Sequence, residues 1–150
     1  MKAREYKIVV VSGGFDPLHV GHVRLFARAK KLGDELVVIL NNDNWLRKKK
    51  EYVFMPQRER KELIEALACV DKVVLSSHKR NAQDMSVCAE LEKIKPDIFA
   101  NGGDRTNKNI PEIAVCEKIG CKMVFGVGAG GKVQSSSWLL GEHIKHYGEK

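Results

Sequence analysis

Unbroken apolar runs alternate along this chain with runs whose apolar residues recur at three and four positions. Tyr6 to Val11 is an apolar, β-branched run after Lys7, the pattern of a strand covered on both faces. From about Val20 the spacing becomes helical, and Gly33 reads as the stop. Glu35 to Leu40 (ELVVIL) is a second buried strand, which completes a parallel β-α-β unit. Lys72 to Leu75, Asp97 to Ala100 and Lys122 to Val127 read as three further strands. Helices are predicted from Pro56 to about Ala68, from Met85 to Ile94, from Pro111 to Gly120 and from Trp138 to about Tyr147. The first of these carries Leu63, Ile64 and Leu67 on one face. Asp84 reads as the cap of the second, and Pro111 and Gly120 bracket the third. Asn44 to Met55 and Ser76 to Asp84 read as polar loops. The alternation predicts a three-layer α/β/α architecture on a doubly wound, parallel five-stranded sheet, as one domain over residues 1–150. Ligands in such sheets lie beyond the carboxyl ends of the strands.

That edge is where the chemistry-bearing residues fall. Ser12, Gly13 and Gly14 break the first strand, and Asp16-Pro17 continues the turn. Paired glycines are expected to take φ > 0 and to let a ligand approach the backbone. The following helix start offers free N–H groups and a positive dipole end, which favour phosphate. His19 and His22 are three apart and share a face of its first turn. Imidazoles there can stabilise charge that develops on a phosphoryl group. Arg47 to Lys50 is the densest basic run, and lysines next to a triphosphate can neutralise departing pyrophosphate. Gly102-Gly103-Asp104 repeats a glycine turn at a strand end. Ser135, Ser136 and Ser137 precede the last helix and offer caps and a second anion cradle.

The net charge of +7 raises the question of nucleic acid. The lysines are spread out and aromatics interleaved with them are few, so a small anionic substrate accounts for the excess as well, and no nucleic-acid partner is expected. No run is apolar enough to span a membrane and no secretory leader is evident, which points to a cytoplasmic protein. Cys69, Cys88, Cys116 and Cys121 lack C-x-x-C or metal-ligand spacing, so free thiols and no protein-held metal are expected.

The stretch SGGFDPLHVGH resembles the signature of the nucleotidyltransferase superfamily, the cytidylyltransferase-like enzymes, whose hallmark His-x-Gly-His is His19-Val20-Gly21-His22. Gly14, Phe15 and Asp16 also fit it. KPDIFANGGD and the serine triplet resemble two later elements of the family, and Arg60 with Val70-Asp71 fits the helix between. The resemblance covers residues 6 to 147. It implies a Rossmann-like fold and transfer of a nucleoside monophosphate from a nucleoside triphosphate to a phosphorylated small acceptor, with release of pyrophosphate and with Mg²⁺. It assigns catalysis to His19, His22 and Lys49. It assigns nucleotide or phosphate binding to Gly13, Gly14, Phe15, Asp16, Lys48, Gly102, Asp104, Ser135, Ser136 and Ser137. The Gly-Gly-Asp form is most similar to the heptose 1-phosphate adenylyltransferase branch, with glycerol-3-phosphate cytidylyltransferase as the alternative. Relatives of this kind are often dimers or larger, so a homodimer is a possible partner arrangement. A non-catalytic nucleotide sensor is the reading from another class.

Overall fold

The computed structural model describes residues 5–102, 111–128 and 135–148. Its strands are β1 (Ile8–Gly13), β2 (Glu35–Leu40), β3 (Lys72–Leu75), β4 (Ile98–Gly102) and β5 (Lys122–Val127). They form one five-stranded sheet in the order β3-β2-β1-β4-β5, and every pairing is parallel. The chain winds outward from β1 to β3 and then returns to β4 beside β1. The β1/β4 boundary is therefore the topological switch point, where doubly wound sheets open a crevice at their carboxyl edge. The architecture is the expected three-layer, Rossmann-like α/β fold.

Strand periodicity builds the two cores. Val9 and Val11 of β1 point into one layer with Phe26 and Ala29 of α1 (Val20–Lys30) and Ile64 of α3 (Gln57–Glu65). Val10 points the other way, toward Leu91 of α4 (Cys88–Ile94) and Cys116 of α5 (Glu112–Ile119). A slip of one residue would exchange the two sets, and burying each Val, Leu or Phe is worth about 1.5–3 kcal/mol, so the register is firmly fixed. That register carries Gly13 and Leu40 to the same sheet edge.

Several sequence expectations are corrected here. The stretch from Asn44 to Met55 is not a loop throughout: α2 spans Asp43–Lys50. Asn42 caps it by accepting the Trp45 N–H at 3.0 Å, and Leu46 anchors it in full burial. The basic run forms its last turn, where the negative end of the helix dipole favours cations. Gly33 is not a left-handed stop, because α1 ends at Lys30 with Lys31 as its C-cap. Gly33 is there for contact: a Cβ would sit 2.7 Å from Val9 Cγ2 and 2.9 Å from the Lys7 carbonyl. Leu63 faces solvent at 45% exposure, and the buried face of α3 is carried by Ile64 and Arg60. Asp84 caps a turn and not the helix: its Oδ1 accepts the Ser86 N–H at 2.9 Å and the Ser86 hydroxyl at 2.6 Å. Pro111 and Gly120 do bracket α5, with Gly120 left-handed at φ 73°. The last helix, α6, spans Ser136–Gly148.

The four cysteines are free. Burial, with Cys116 alongside, pushes the Cys121 thiol up to about 12, which makes it a poor nucleophile. Among the described residues no helix is long and apolar enough to cross a membrane.

Candidate active site at the carboxyl edge of the sheet

The turn after β1 obtains its shape from Phe15. The left-handed residue is Phe15 itself (φ 49°), not either glycine. Its buried ring folds back over Gly13, where a Cβ would meet ring atoms at 2.8 and 2.9 Å. A Cβ at Gly14 would press on Leu46 at 3.0 Å and Trp45 at 3.2 Å. The glycines thus permit close side-chain packing. The same Phe15 ring stands edge-on to His22, with centroids 4.8 Å apart, and edge-on to Phe26 at 5.0 Å. It holds one histidine against the core.

The two histidines start α1 by capping each other. His19 is the N-cap, and its Nδ1 accepts the Gly21 N–H at 3.0 Å. His22 Nδ1 accepts the His19 N–H at 3.2 Å. An atom that accepts from an amide carries its lone pair there, so each neutral ring bears its proton on Nε2. The rings stack at 3.7 Å between centroids, tilted by only 23°. Burial, then His19 and Lys50, pulls His22 down to about 3. At neutral pH the helix start therefore presents neutral imidazole as an Nε2–H donor, fixed in orientation by backbone amides. A donor of this kind can stabilise a developing phosphoryl charge without carrying a charge that must first be desolvated.

Beneath them lies a polar hub that the sequence did not disclose as part of the site. Arg60 is fully buried. Its Nη1 donates to the carbonyls of Gly14 and Asn41, each at 2.7 Å. Its Nε donates to the Met55 carbonyl at 2.8 Å, and Nη2 donates to Asp43 Oδ1 at 2.7 Å. One guanidinium thus ties the β1 turn, the β2 turn, α2 and the chain before α3 into one unit. Asp16 does the same from the other side: its two carboxylate oxygens accept the Phe54 and Met55 N–H groups at 2.7 Å each. Asp16 and Arg60 frame the site. The sequence signal for Arg60 was its place four residues before Ile64, on the buried face of α3.

The three consecutive lysines of α2 have different destinations. Lys48 donates to the Ala82 carbonyl, which draws it toward the chain after β3. Lys49 lines a cleft of about 660 Å³ together with Ser12, Gly13, Asn41, Trp45 and Glu112. Lys50 is close enough to His22 for its charge to depress that ring's proton affinity. The serine element is brought in by Ser136, whose hydroxyl donates to the Pro17 carbonyl at 2.8 Å. Ser135 is buried and its hydroxyl accepts the Trp138 N–H at 3.4 Å, while Ser137 is exposed. Gly102 is matched to packing, since a Cβ there would meet Leu25 Cδ1 at 2.8 Å and the Val127 carbonyl at 3.0 Å. Asp104 lies outside the described residues. His78, within the stretch read as a polar loop, is buried: its ring nitrogens lie 2.7 Å from Ser76 Oγ and 2.8 Å from the Ser86 carbonyl. It braces the loop after β3 and is not offered to a phosphate. Lys79 and Arg80 beside it are exposed. Among the described residues no three His, Cys, Asp or Glu side chains form a metal cluster.

A family model described as cytidylyltransferase-like matches residues 10–124, from β1 through β5. The chain belongs to the cytidylyltransferase-like family. Its matches place it in the nucleotidyltransferase superfamily. Within the curated relatives it is 32% identical over 151 residues to the bifunctional protein HldE of Geobacter metallireducens, covering 99% of this chain and 29% of that protein. It is 40% identical over 99 residues to the FAD synthase of Ferroglobus placidus, covering 66% of this chain and 60% of that enzyme. The chain therefore spans less than two thirds of these relatives' length. A solved structure of a lipopolysaccharide core biosynthesis protein from Thermoplasma volcanium superposes with a TM-score of 0.64 at 30% identity, covering 81% of this chain and 96% of that one.

Proposed function

We propose that the chain transfers a nucleoside monophosphate from a nucleoside triphosphate to the phosphate of a small hydroxylated acceptor, with heptose 1-phosphate and ATP as the preferred pair. The observation that carries this reading is the stacked, mutually capped imidazole pair at the start of α1. An acceptor phosphate oxygen attacks the α-phosphorus, forming the new P–O bond. The bond from the α-phosphorus to the oxygen bridging it to the β-phosphorus breaks, and pyrophosphate leaves with the electron pair. Nε2–H groups of His19 and His22 donate to the non-bridging oxygens on which charge develops. The N–H groups of the α1 start add their dipole. Lys49, Lys50 and the serine hydroxyls before α6 neutralise and orient the β- and γ-phosphates. Mg²⁺ supplies further charge neutralisation on the triphosphate. No covalent intermediate on the protein is required.

Similarity to HldE over nearly the whole chain supports the sugar phosphate. Similarity at 40% identity to an FAD synthase favours a second reading, with flavin mononucleotide as acceptor. Glycerol 3-phosphate with CTP is the third pairing. The test is pyrophosphate release with ATP, CTP, GTP and UTP crossed against these three acceptors. Release in one pairing, lost in His19→Asn, is expected. Tight triphosphate binding with no release from any pairing would favour a nucleotide sensor instead.

A further inference from the structure

We infer that His78 is a positioning residue, an inference that rests on the transfer reaction proposed above. By joining the two ends of the loop after β3, His78 holds α2, and with it Lys49, in place at the cleft.

Residues 76–87, between β3 and α4, contain no helix or strand. Among the described residues, one backbone hydrogen bond lies within this loop, from the Ala82 N–H to the Lys79 carbonyl at 3.1 Å. A segment that makes so few bonds of its own takes its shape from side chains. His78, 9% exposed, ties the loop's ends together: its ring lies 2.7 Å from Ser76 Oγ and 2.8 Å from the Ser86 carbonyl. A carbonyl can only accept, so Nε2 carries a proton. Ser76 Oγ already accepts the Asn42 N–H at 2.9 Å, which leaves its own proton for Nδ1 of the neutral ring. The relay thus runs from Asn42, the N-cap of α2, through Ser76 and His78 to Ser86.

The same loop carries α2. The start of that helix is fixed by Asp43, which pairs with Arg60. Beyond it, the helix is bonded to the loop. Asn44 Nδ2 donates to the His78 carbonyl at 3.0 Å, the Trp45 indole N–H donates to the Met85 carbonyl at 3.0 Å, and Lys48 reaches the Ala82 carbonyl. Met85 and Ser86 line the same cleft as Lys49, whereas His78 does not. Releasing Ser86 loosens its neighbour Met85, which is the partner of the indole. The displacement then passes along α2 to Lys49 without any contact between His78 and substrate. A misplacement of about 1 Å at a reacting centre costs on the order of 10²-fold in rate.

Two amide side chains divide the relay. Glutamine brings an N–H near the Nε2 position and keeps the Ser86 bond. Asparagine brings an oxygen near the Nδ1 position and keeps the Ser76 bond. Each variant loses the ring and one contact, so His78→Gln and His78→Asn are expected to melt close together. In hydrogen exchange read by mass spectrometry, His78→Asn is expected to speed exchange in residues 79–86 and in α2 about tenfold, with His78→Gln near wild type. In turnover, His78→Asn is expected to lower kcat about ten- to a hundredfold and leave both KM values within a few-fold, because Lys49 is assigned to the charge on departing pyrophosphate. His78→Gln is expected to stay within a few-fold of wild type throughout. Trp45→Phe removes the indole N–H, leaves His78 in place and is expected to reproduce both effects; it decides the matter if His78→Asn does not fold. The pair His78→Asn, Trp45→Phe is expected to cost little more than the worse single change. Equal losses in His78→Gln and His78→Asn overturn the inference, as do rate losses that multiply in the pair or a Trp45→Phe chain that behaves as wild type. Exchange that divides as expected in a chain with no pyrophosphate release leaves the tie standing and refutes the transfer reaction.

Discussion

The guanidinium of Arg60 donates to the carbonyl of Gly14 at 2.7 Å, joining a helix core to the turn that carries the histidines. The same group holds Asn41, Met55 and Asp43. Removing one member of a buried, hydrogen-bonded ion pair costs about 3–5 kcal/mol. Arg60→Met is expected to lower the unfolding free energy by about that amount, measured as a fall in the urea midpoint. Combining it with Asp43→Asn should cost less than the sum of the two single changes. Strict additivity would mean that the contact with Asp43 contributes nothing.

The histidines have separable duties, and substitution can divide them. Asparagine places an oxygen near the Nδ1 position and is a favoured N-cap, so His19→Asn should retain the helix start. It lacks the Nε2–H. The expected outcome is a thermal midpoint close to wild type with pyrophosphate release lowered about 10²–10³-fold, the usual cost of one such donor. His19→Ala should lose the same activity and about 1 kcal/mol of stability besides. Equal melting of the two variants would show that the cap is unimportant.

His22 gives the pH dependence a definite sign. Its proton affinity falls from 6.5 in the unfolded chain to about 3 in the fold, chiefly through burial. Between those values the unfolded chain holds the extra proton, so stability rises with pH across the window and is lost on acidification. The slope from this group reaches at most about 1.4 kcal/mol per pH unit. Urea titrations from pH 7 to pH 4 should show this loss, and His22→Asn should flatten it. Turnover should not rise as pH falls through 6.5. A rise there would mean that imidazolium is the working form.

Gly13 and Gly102 should respond differently to alanine. At Gly13 the added methyl meets the Phe15 ring, a side chain that can move. Moving it withdraws support from His22, so Gly13→Ala should fold but turn over slowly. At Gly102 the obstacle includes the Val127 carbonyl, which is part of the sheet. Gly102→Ala should therefore lose about 1–3 kcal/mol, the range for overpacking. Denaturation and initial rates on the two variants check both statements.

Much of this was legible beforehand, for identifiable reasons. The runs ELVVIL, KVVL and KMVFGV define β2, β3 and β5 because strands covered by helices on both faces are apolar throughout. The histidine pair stood out because it follows a strand and a glycine turn. The helix α2 was hidden by its own charge, since DNWLRKKK exposes its buried contact at a single residue, Leu46. Arg60 lay inside QRERKELIE, where one more charge resembles a solvated face. The tautomer of His22 depends on where the His19 amide points, and composition carries no trace of that. The cleft was invisible because Asn41, Trp45 and Glu112 reach it from three separate elements.

The lysines at the end of α2 have a consequence for how this protein can change. On a helix successive side chains are turned by about 100°, so neighbours in sequence face different places. Lys48 reaches the Ala82 carbonyl, Lys49 the cleft and Lys50 the surroundings of His22. The run Arg47–Lys50 is thus a set of addresses and not a reservoir of positive charge. Deleting a single residue upstream in α2 would leave the net charge of the run intact and still misdeliver every ammonium group in it. Insertions and deletions in this short segment should accordingly be far less tolerated than an exchange of one basic residue for another in place.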